Sequence, residues 1–582
     1  MAQENTAVNA MTTMDKLAAL KNSIAAHANA SADEKIKCFI SVGYRHKRAV
    51  VYAGVGNTLD TAFKSAQDRA LKYIKAEGAE PPWLKADIVV MEKKLFMDDF
   101  LSMARWTKKF YFKYGISFDS MYNNAFLQQE VNGGALIKYS IAEKRNENPS
   151  TEIAELIGLS RETDSGRNDA RINFNNVNHY VRTVRGENPM LSGDDLKEVI
   201  IFDTRGYFFD EDQLFEIETE ELANHRRKVE SLDAPLAKDL ITKMSRYLAG
   251  TVEESGKFIY GYFACYDKQI ATYNVIRHAL GTYSMCETYL ATKDEALITP
   301  IKTSLKYLVD KFAYDVDDMT FIAEFESNSE IKLGALGVAV LAMSKYLEIF
   351  GDEKDKYLPI MQRIGNAMLY MQNPATGQFT HVLGHPDLEV IELFRIVYYS
   401  GEATFALMCI YAFDKDEKWL KAANKAFDYF IKNNYWKNYD HWIAYAINEL
   451  TKVSDDDRYF DFGLKNAFSN LNFIEYRITT WATFLELLTA SNVMIQNIKA
   501  AGKDSLLERY DEEQFERVMK IRAERLLNGI FFPEFAMYFK SPETILYGSF
   551  VRHHTFRVRN DDVASHLSGY ARYLTDILEV DR

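Results

Sequence analysis

The stretch Tyr399–Phe430, YSGEATFALMCIYAFDKDEKWLKAANKAFDYF, decides the fold. Its first half is an apolar run that holds Cys409. Its second half sets Trp419, Ala422, Ala426 and Phe430 on one helical stripe. Between them lies a short acidic turn, Asp414-Lys415-Asp416-Glu417-Lys418. The unit reads as two helices joined by a tight connection.

The same unit recurs. Turns of similar character stand at Thr292-Lys293-Asp294-Glu295, Gly351-Asp352-Glu353-Lys354 and Ser454-Asp455-Asp456-Asp457-Arg458. The first three turns recur about every 60 residues and the fourth after about 40, a rhythm of helix hairpins in a solenoid or closed toroid. Stripes flank them: Ala279, Tyr283, Cys286 and Leu290; Leu333, Leu336, Val340, Met343, Leu347 and Phe350; Tyr357, Ile360, Ile364, Met368 and Met371. Further helices are predicted near 441–452, 459–471 and 480–499. The expected toroid spans 231–582.

Upstream the pattern changes. Residues 1–34 read as a flexible tail with one short helix. Residues 35–230 read as an α+β region of unassigned role. Ile36, Cys38, Ile40 and Val42 alternate, and a second β-run, Ala49–Ala53, follows the turn Arg45-His46-Lys47, which is a hairpin pattern. A helix is expected over 59–74, a strand over 84–90, and two β-runs at Glu198–Asp203 and Gly206–Phe209. The fold class is therefore multidomain: an N-terminal α+β region, then a large all-α (α/α)n toroid of helix hairpins.

Composition narrows the function classes. The chain has 582 residues, 47% hydrophobic and 26% charged, which is globular and long enough for two or three domains. A net charge of −13 disfavours phosphate backbones, so no nucleic-acid partner is expected. The four cysteines, Cys38, Cys265, Cys286 and Cys409, form no CxxC pair, which fits a reducing compartment. The first residues lack an apolar signal core, and no apolar stretch is long enough to span a membrane. A cytoplasmic location is the expectation.

Polar residues gather where inner helices would begin: Asn274 with Arg277-His278, Ser400-Gly401-Glu402 after Tyr398-Tyr399, Asp440-His441-Trp442, and Arg477-Ile478-Thr479-Thr480-Trp481. Parallel inner helices would bring these starts to one mouth. Capping is the simpler account of Asp440 or Ser400 alone. It does not explain Arg277, His278, Glu402 and Arg477 together. Glu324 and Glu326 would face one side of an extended segment, as an acid/base pair or a solvated edge. Five of the eleven residues from Arg552 to Asp562 are basic, and Arg559, Asp561, Asp562 and His566 complete a group suited to an anionic ligand or to a surface ion-pair network. The histidines match no metal spacing; no metal and no cofactor are expected.

The segments Gly256–Tyr262, Thr272–Ala279 and Tyr398–Ala403 resemble α/α-toroid carbohydrate enzymes, nearest to the C-terminal domain of D-glucuronyl C5-epimerases. The resemblance covers roughly residues 240–575. It implies a carbohydrate-active enzyme on a uronate-containing or other anionic saccharide of bacterial-type envelope polysaccharide metabolism, an epimerase or a glycoside hydrolase. His278, Glu402, Tyr273, Tyr399, Asp440, Glu324 and Glu326 are the expected catalytic residues. Asn274, Arg277, His441, Trp442, Arg477, Arg559, Asp561, Asp562 and His566 are the expected binding residues. Two rivals stay open: a non-catalytic helical scaffold that engages a partner protein through the N-terminal region, and an enzyme on a peptide or lipid-linked polymer.

Overall fold

The computed structural model describes residues 11–28, 35–141, 153, 156, 168–193, 196–219, 225–324 and 330–579. By contacts the chain forms two compact units. The first is Met1–Glu230 with Tyr262–Lys268 and Asn528–Val558. The second is Ser231–Gly261, Gln269–Leu527 and Arg559–Arg582. Residues 528–558, expected within the toroid, thus fall in the first unit.

In the first unit, β1 (Ile36–Tyr44) and β2 (Lys47–Gly56) form the expected hairpin, with Tyr44 opposite Lys47. Strands β3 (Trp83–Phe96), β4 (Gly115–Ser117), β5 (Ala125–Phe126), β6 (Glu198–Asp210) and β7 (Gln213–Glu216) extend an antiparallel sheet. Its order is β2-β1-β3-β6-β4-β5, with β7 on β6. Helix α1 (Thr13–Ala25), in the expected tail, buries Leu17, Leu20 and Ile24 beside α2 (Leu59–Glu77). Both helices share a core with Cys38, Ile40 and Val42 of β1, while Phe39 turns to the opposite core with Trp83, Phe202 and Tyr538. The strand's strict alternation thus sorts its side chains between two cores.

The two β-runs expected at 198–209 are one strand. Gly206 does not break it, because it pairs with Asp87 of β3. A Cβ at Gly206 would stand 2.3 Å from Asp87 Oδ1. The glycine leaves room for Asp87 and its ion pair with Lys85 at 2.6 Å, both fully buried.

The second unit is a ring of helix pairs. Among the described residues, six helices form its inner wall: α4 (Val275–Thr292), α6 (Leu333–Ile349), α8 (Tyr399–Asp414), α10 (His441–Thr451), α12 (Thr483–Ala500) and α14 (Asn560–Tyr573). Each packs on the next, and α14 packs back onto α4, which closes the ring. Outside them lie α3 (Ala234–Gly250), α5 (Ile298–Phe312), α7 (Lys354–Tyr370), α9 (Glu417–Lys432), α11 (Asp457–Phe468) and α13 (Glu512–Leu526). This is an α/α toroid, as the hairpin rhythm predicts; closure overturns the open superhelix that the scaffold reading supposes.

The sequence distinguishes wall from rim. Leu333–Met343 of α6, LGALGVAVLAM, is apolar all round and buried on every face, as an interior helix must be. The outer α9 buries only Trp419, Ala422, Ala423, Ala426, Phe427 and Phe430. The acidic turns are the inner-to-outer connections. Asp294, Asp416 and Asp456 each accept a hydrogen bond from a backbone N–H of the element that follows. Lys293 and Lys415, at φ +58° and +59°, close the preceding inner helices in the left-handed conformation.

Candidate functional site

The starts of neighbouring inner helices meet side by side. Arg277 of α4 reaches Asp561 of α14, Gly334 of α6 adjoins Glu402 of α8, Gly401 of α8 adjoins Asp440, and Tyr445 of α10 reaches Glu486 of α12. The inner helices therefore run parallel and share an N-terminal mouth.

Two acids sit in successive seams of this mouth. Glu402, in the first turn of α8, is 4% exposed, and its Oε2 has no hydrogen-bond partner. Asp440 caps α10 and is fully buried; its Oδ1 accepts from Trp442 N at 2.8 Å, whereas Oδ2 has no partner. Burial pushes the Glu402 carboxyl well above the usual carboxylate range, and the Asp440 charge adds to the shift. Burial does the same to Asp440, against the backbone N–H groups of Trp442 and Ile443. Such a pair keeps a proton near neutrality and can donate it. Capping accounts for one Asp440 oxygen; it leaves Oδ2 and Glu402 unexplained.

Tyr399 stands beside Glu402 against Gly334, with its hydroxyl pushed up by burial. Arg277 and Arg395 contribute positive potential at Tyr399. Arg277 donates to Asp561 Oδ2 at 2.8 Å and to the Tyr260 hydroxyl. Arg559 binds Asp561 at 2.9 Å and Asp562 at 3.4 Å. The expected anionic-ligand group is thus assembled at the starts of α4 and α14, as an ion-pair network.

Next to Asp440, His441 Nε2 lies 3.9 Å from Glu486 Oε2, and His441 Nδ1 and Glu486 Oε1 have no partners. Burial pulls the His441 pKa down to about 3 and pushes that of Glu486 up to about 8. The Tyr445 hydroxyl donates to Glu486 at 3.4 Å. Arg572 stacks over Tyr445 and donates to Glu287 at 2.6 Å. Trp442 packs in the same interior, 5.9 Å from the Tyr283 ring.

Other expected residues lie elsewhere. His278 points to the outer wall: Nε2 donates to Ser304 O at 2.8 Å and Nδ1 accepts from Tyr273 at 2.7 Å. Both its nitrogens and the Tyr273 hydroxyl, which also accepts from Phe258 N, are committed to packing α4 against α5. Asn274 caps α4, and Glu324 accepts from Val275 N at the same helix start. Glu326 lies outside the described residues. Arg477 stacks on Phe473 and Trp481 at the surface and donates to Thr479. His566 donates through Nδ1 to Asp562 O.

Sequence reasoning missed His381, Glu486 and Arg572. His381 bonds Ser400 Oγ at 2.9 Å and accepts from Arg395 N at 3.0 Å, with its ring 5.5 Å from Tyr399. It lies on a loop, without helical periodicity. Glu486 and Arg572 carried a signal: each is a charge on an otherwise buried helical face.

No metal-holding group of His, Cys, Asp or Glu occurs among the described residues. No helix there is long and apolar enough to cross a membrane.

No protein-family model matches the chain, and no curated protein does. Among solved structures, a D-mannose isomerase is 12% identical at TM-score 0.45, covering 58% of this chain and 97% of its own. A cellobiose 2-epimerase from Bacillus thermoamylovorans is 10% identical at TM-score 0.46, covering 58% and 98%. The GH76A α-1,6-mannanase of Salegentibacter sp. is 13% identical at TM-score 0.40, covering 58% and 98%. Likeness at this level carries no weight for function; the toroid rests on the closure of the ring itself.

Proposed function

We propose that the second unit is a carbohydrate-active enzyme that moves a proton on an anionic saccharide held at the N-terminal mouth. The observation that carries this reading is the Glu402–Asp440 pair: adjacent, buried, each with an unpartnered oxygen, and both shifted toward the protonated form. Glu402 is the acid that delivers a proton to C5; ionised Asp440, whose charge keeps Glu402 protonated, takes the departing C5 proton, so the pair gives one proton and receives one, and Tyr399 stands beside the transfer. Arg277 and Arg559 neutralise the ligand's carboxylate, exchanging part of their bond to Asp561 for it. Phe473 and Trp481, partly exposed on either side of the Arg477 guanidinium, offer apolar surface on which a sugar stacks.

Proton transfer beside a carboxylate, as in uronate epimerisation, is favoured over hydrolysis. A glycosidase needs two carboxyls on either side of the scissile bond, one of them ionised. Here the two acids lie in neighbouring helix seams of one mouth and share a proton, which suits the removal and return of a proton at a single carbon.

The test is incubation of the full chain with uronate-containing oligosaccharides in deuterated water, read by mass spectrometry and proton NMR. Deuterium entering at C5 without chain cleavage is the expected result. Shortened chains with added water would replace epimerisation by hydrolysis. No turnover across a broad panel would sink the enzymatic reading and leave the partner-binding one.

A further inference from the structure

The opposite end of the ring carries a site that the proton-transfer reading does not use. Where α4, α6 and α14 end, a cavity of about 210 Å3 is lined by Glu287, Leu290, Lys345, Arg572, Thr575 and Asp576. A second cavity of about 340 Å3, between α6, α8 and α10, shares Lys345 and is lined by Ser344, Phe405, Cys409, Glu449 and Lys452.

The cations of this mouth are already engaged. Lys345 pairs with Glu348 at 2.9 Å, Lys452 with Glu449 at 2.6 Å, and Arg572 with Glu287 at 2.6 Å. What stays open is an acceptor. Glu287 is 7% exposed, its Oε1 takes the bonds from Arg572 and the Tyr283 hydroxyl, and its Oε2 has no partner. Asp576 adds a second carboxylate to the lining. The converging helix C-termini add negative potential and carbonyl acceptors. A ligand that completes this site brings donors and positive charge.

We propose that the C-terminal mouth binds a small aliphatic amine, its ammonium group donating to Glu287 Oε2 and facing Asp576. The smaller cavity takes the ammonium group, and the apolar stem lies along Leu290 and Ala291.

The test is calorimetric titration of the full-length protein with 1,4-diaminobutane, and with 1,4-butanediol as its uncharged counterpart. Saturable binding of the diamine and none of the diol is expected. Glu287→Gln weakens diamine binding by roughly tenfold or more, as loss of a charged hydrogen bond does. Because Glu287→Gln also unpairs Arg572, Asp576→Asn is the second variant; it leaves that pair in place and also weakens binding. Glu402→Gln, at the other mouth, leaves the diamine affinity unchanged. Absence of saturable binding, equal binding of the diol, unchanged affinity in both carboxylate variants, or loss of affinity in Glu402→Gln would each overturn the proposal.

Discussion

Glu402 Oε2 rests against Gly334, and Asp440 Oδ2 rests against Gly401: an added Cβ would stand 2.3 Å from the first oxygen and 2.6 Å from the second. Each acid at the start of one inner helix is thus received by a glycine at the start of the preceding one. The two seams are adjacent and repeat the same arrangement. The glycines let carboxyls sit where helix would otherwise meet helix, which explains how two acids come to be buried side by side.

Glu402→Gln keeps the shape and removes the acid. Turnover falls by about 10²–10⁴, the usual weight of a general acid, while KM changes little. Asp440→Asn acts through its neighbour. It removes a charge that raises the Glu402 pKa, so Glu402 loses its proton at lower pH. The alkaline limb of the pH–rate profile then moves to lower pH. An unmoved limb in Asp440→Asn would dissociate the pair.

Stability depends on pH through the same burial. Glu486 is raised to about 8 in the fold, from an ordinary value of 4.5. Its contribution is complete below 4.5 and is lost as pH rises through 8, at up to about 1.4 kcal/mol per pH unit. His441, lowered to about 3, and His278, lowered to about 4, act in the opposite sense. Their contributions are complete above the unfolded value of 6.5 and are lost as pH falls toward 4. Urea midpoints should therefore fall on both sides of an optimum near pH 6. Glu486→Gln flattens the alkaline slope; an unchanged slope would show that Glu486 ionises freely in the fold.

The toroid was legible because its signals are local. Acidic turns cap the helices that follow, and apolar stripes repeat at helical spacing. The hairpin at 36–56 was legible for the same reason. The site was legible only in part. Glu402, Asp440, Arg277 and Asp561 lie at helix starts, where the ring gathers them. His278 lies there too, yet one helical step turns it toward Ser304 on the outer wall. Position along a helix is written in the sequence; which way a first-turn residue faces is settled by packing. The return of residues 528–558 to the first unit is a long-range pairing that no local pattern announces.

In the first unit, Lys85 and Asp87 form a fully buried ion pair on β3, with Thr204 and the Tyr538 ring around it. Lys85→Met leaves Asp87 buried without its partner and costs about 3–5 kcal/mol. The double variant Lys85→Met/Asp87→Leu regains most of that loss, because both desolvated charges leave together and Thr204 gives up only a long bond to Asp87, at 3.4 Å. Chemical denaturation of the three proteins reads the cycle. A double variant no more stable than Lys85→Met would mean that the pair itself holds the sheet.

The closeness of α6 to α8 gives the last prediction. A Cβ at Gly337 would lie 2.8 Å from the Glu402 carbonyl carbon and 2.9 Å from Ala403 N, both backbone atoms that cannot step aside singly. Gly337→Ala therefore pushes the two inner helices apart and costs about 1–3 kcal/mol, despite the better helix propensity of alanine. Gly250, the last residue of α3, meets nothing within 4 Å. Gly250→Ala has only the propensity term and gains up to about 1 kcal/mol. Thermal melts of the two variants should move in opposite directions. A Gly337→Ala protein that melts no lower than the parent would refute the close α6–α8 seam, and with it the confinement that keeps Glu402 protonated.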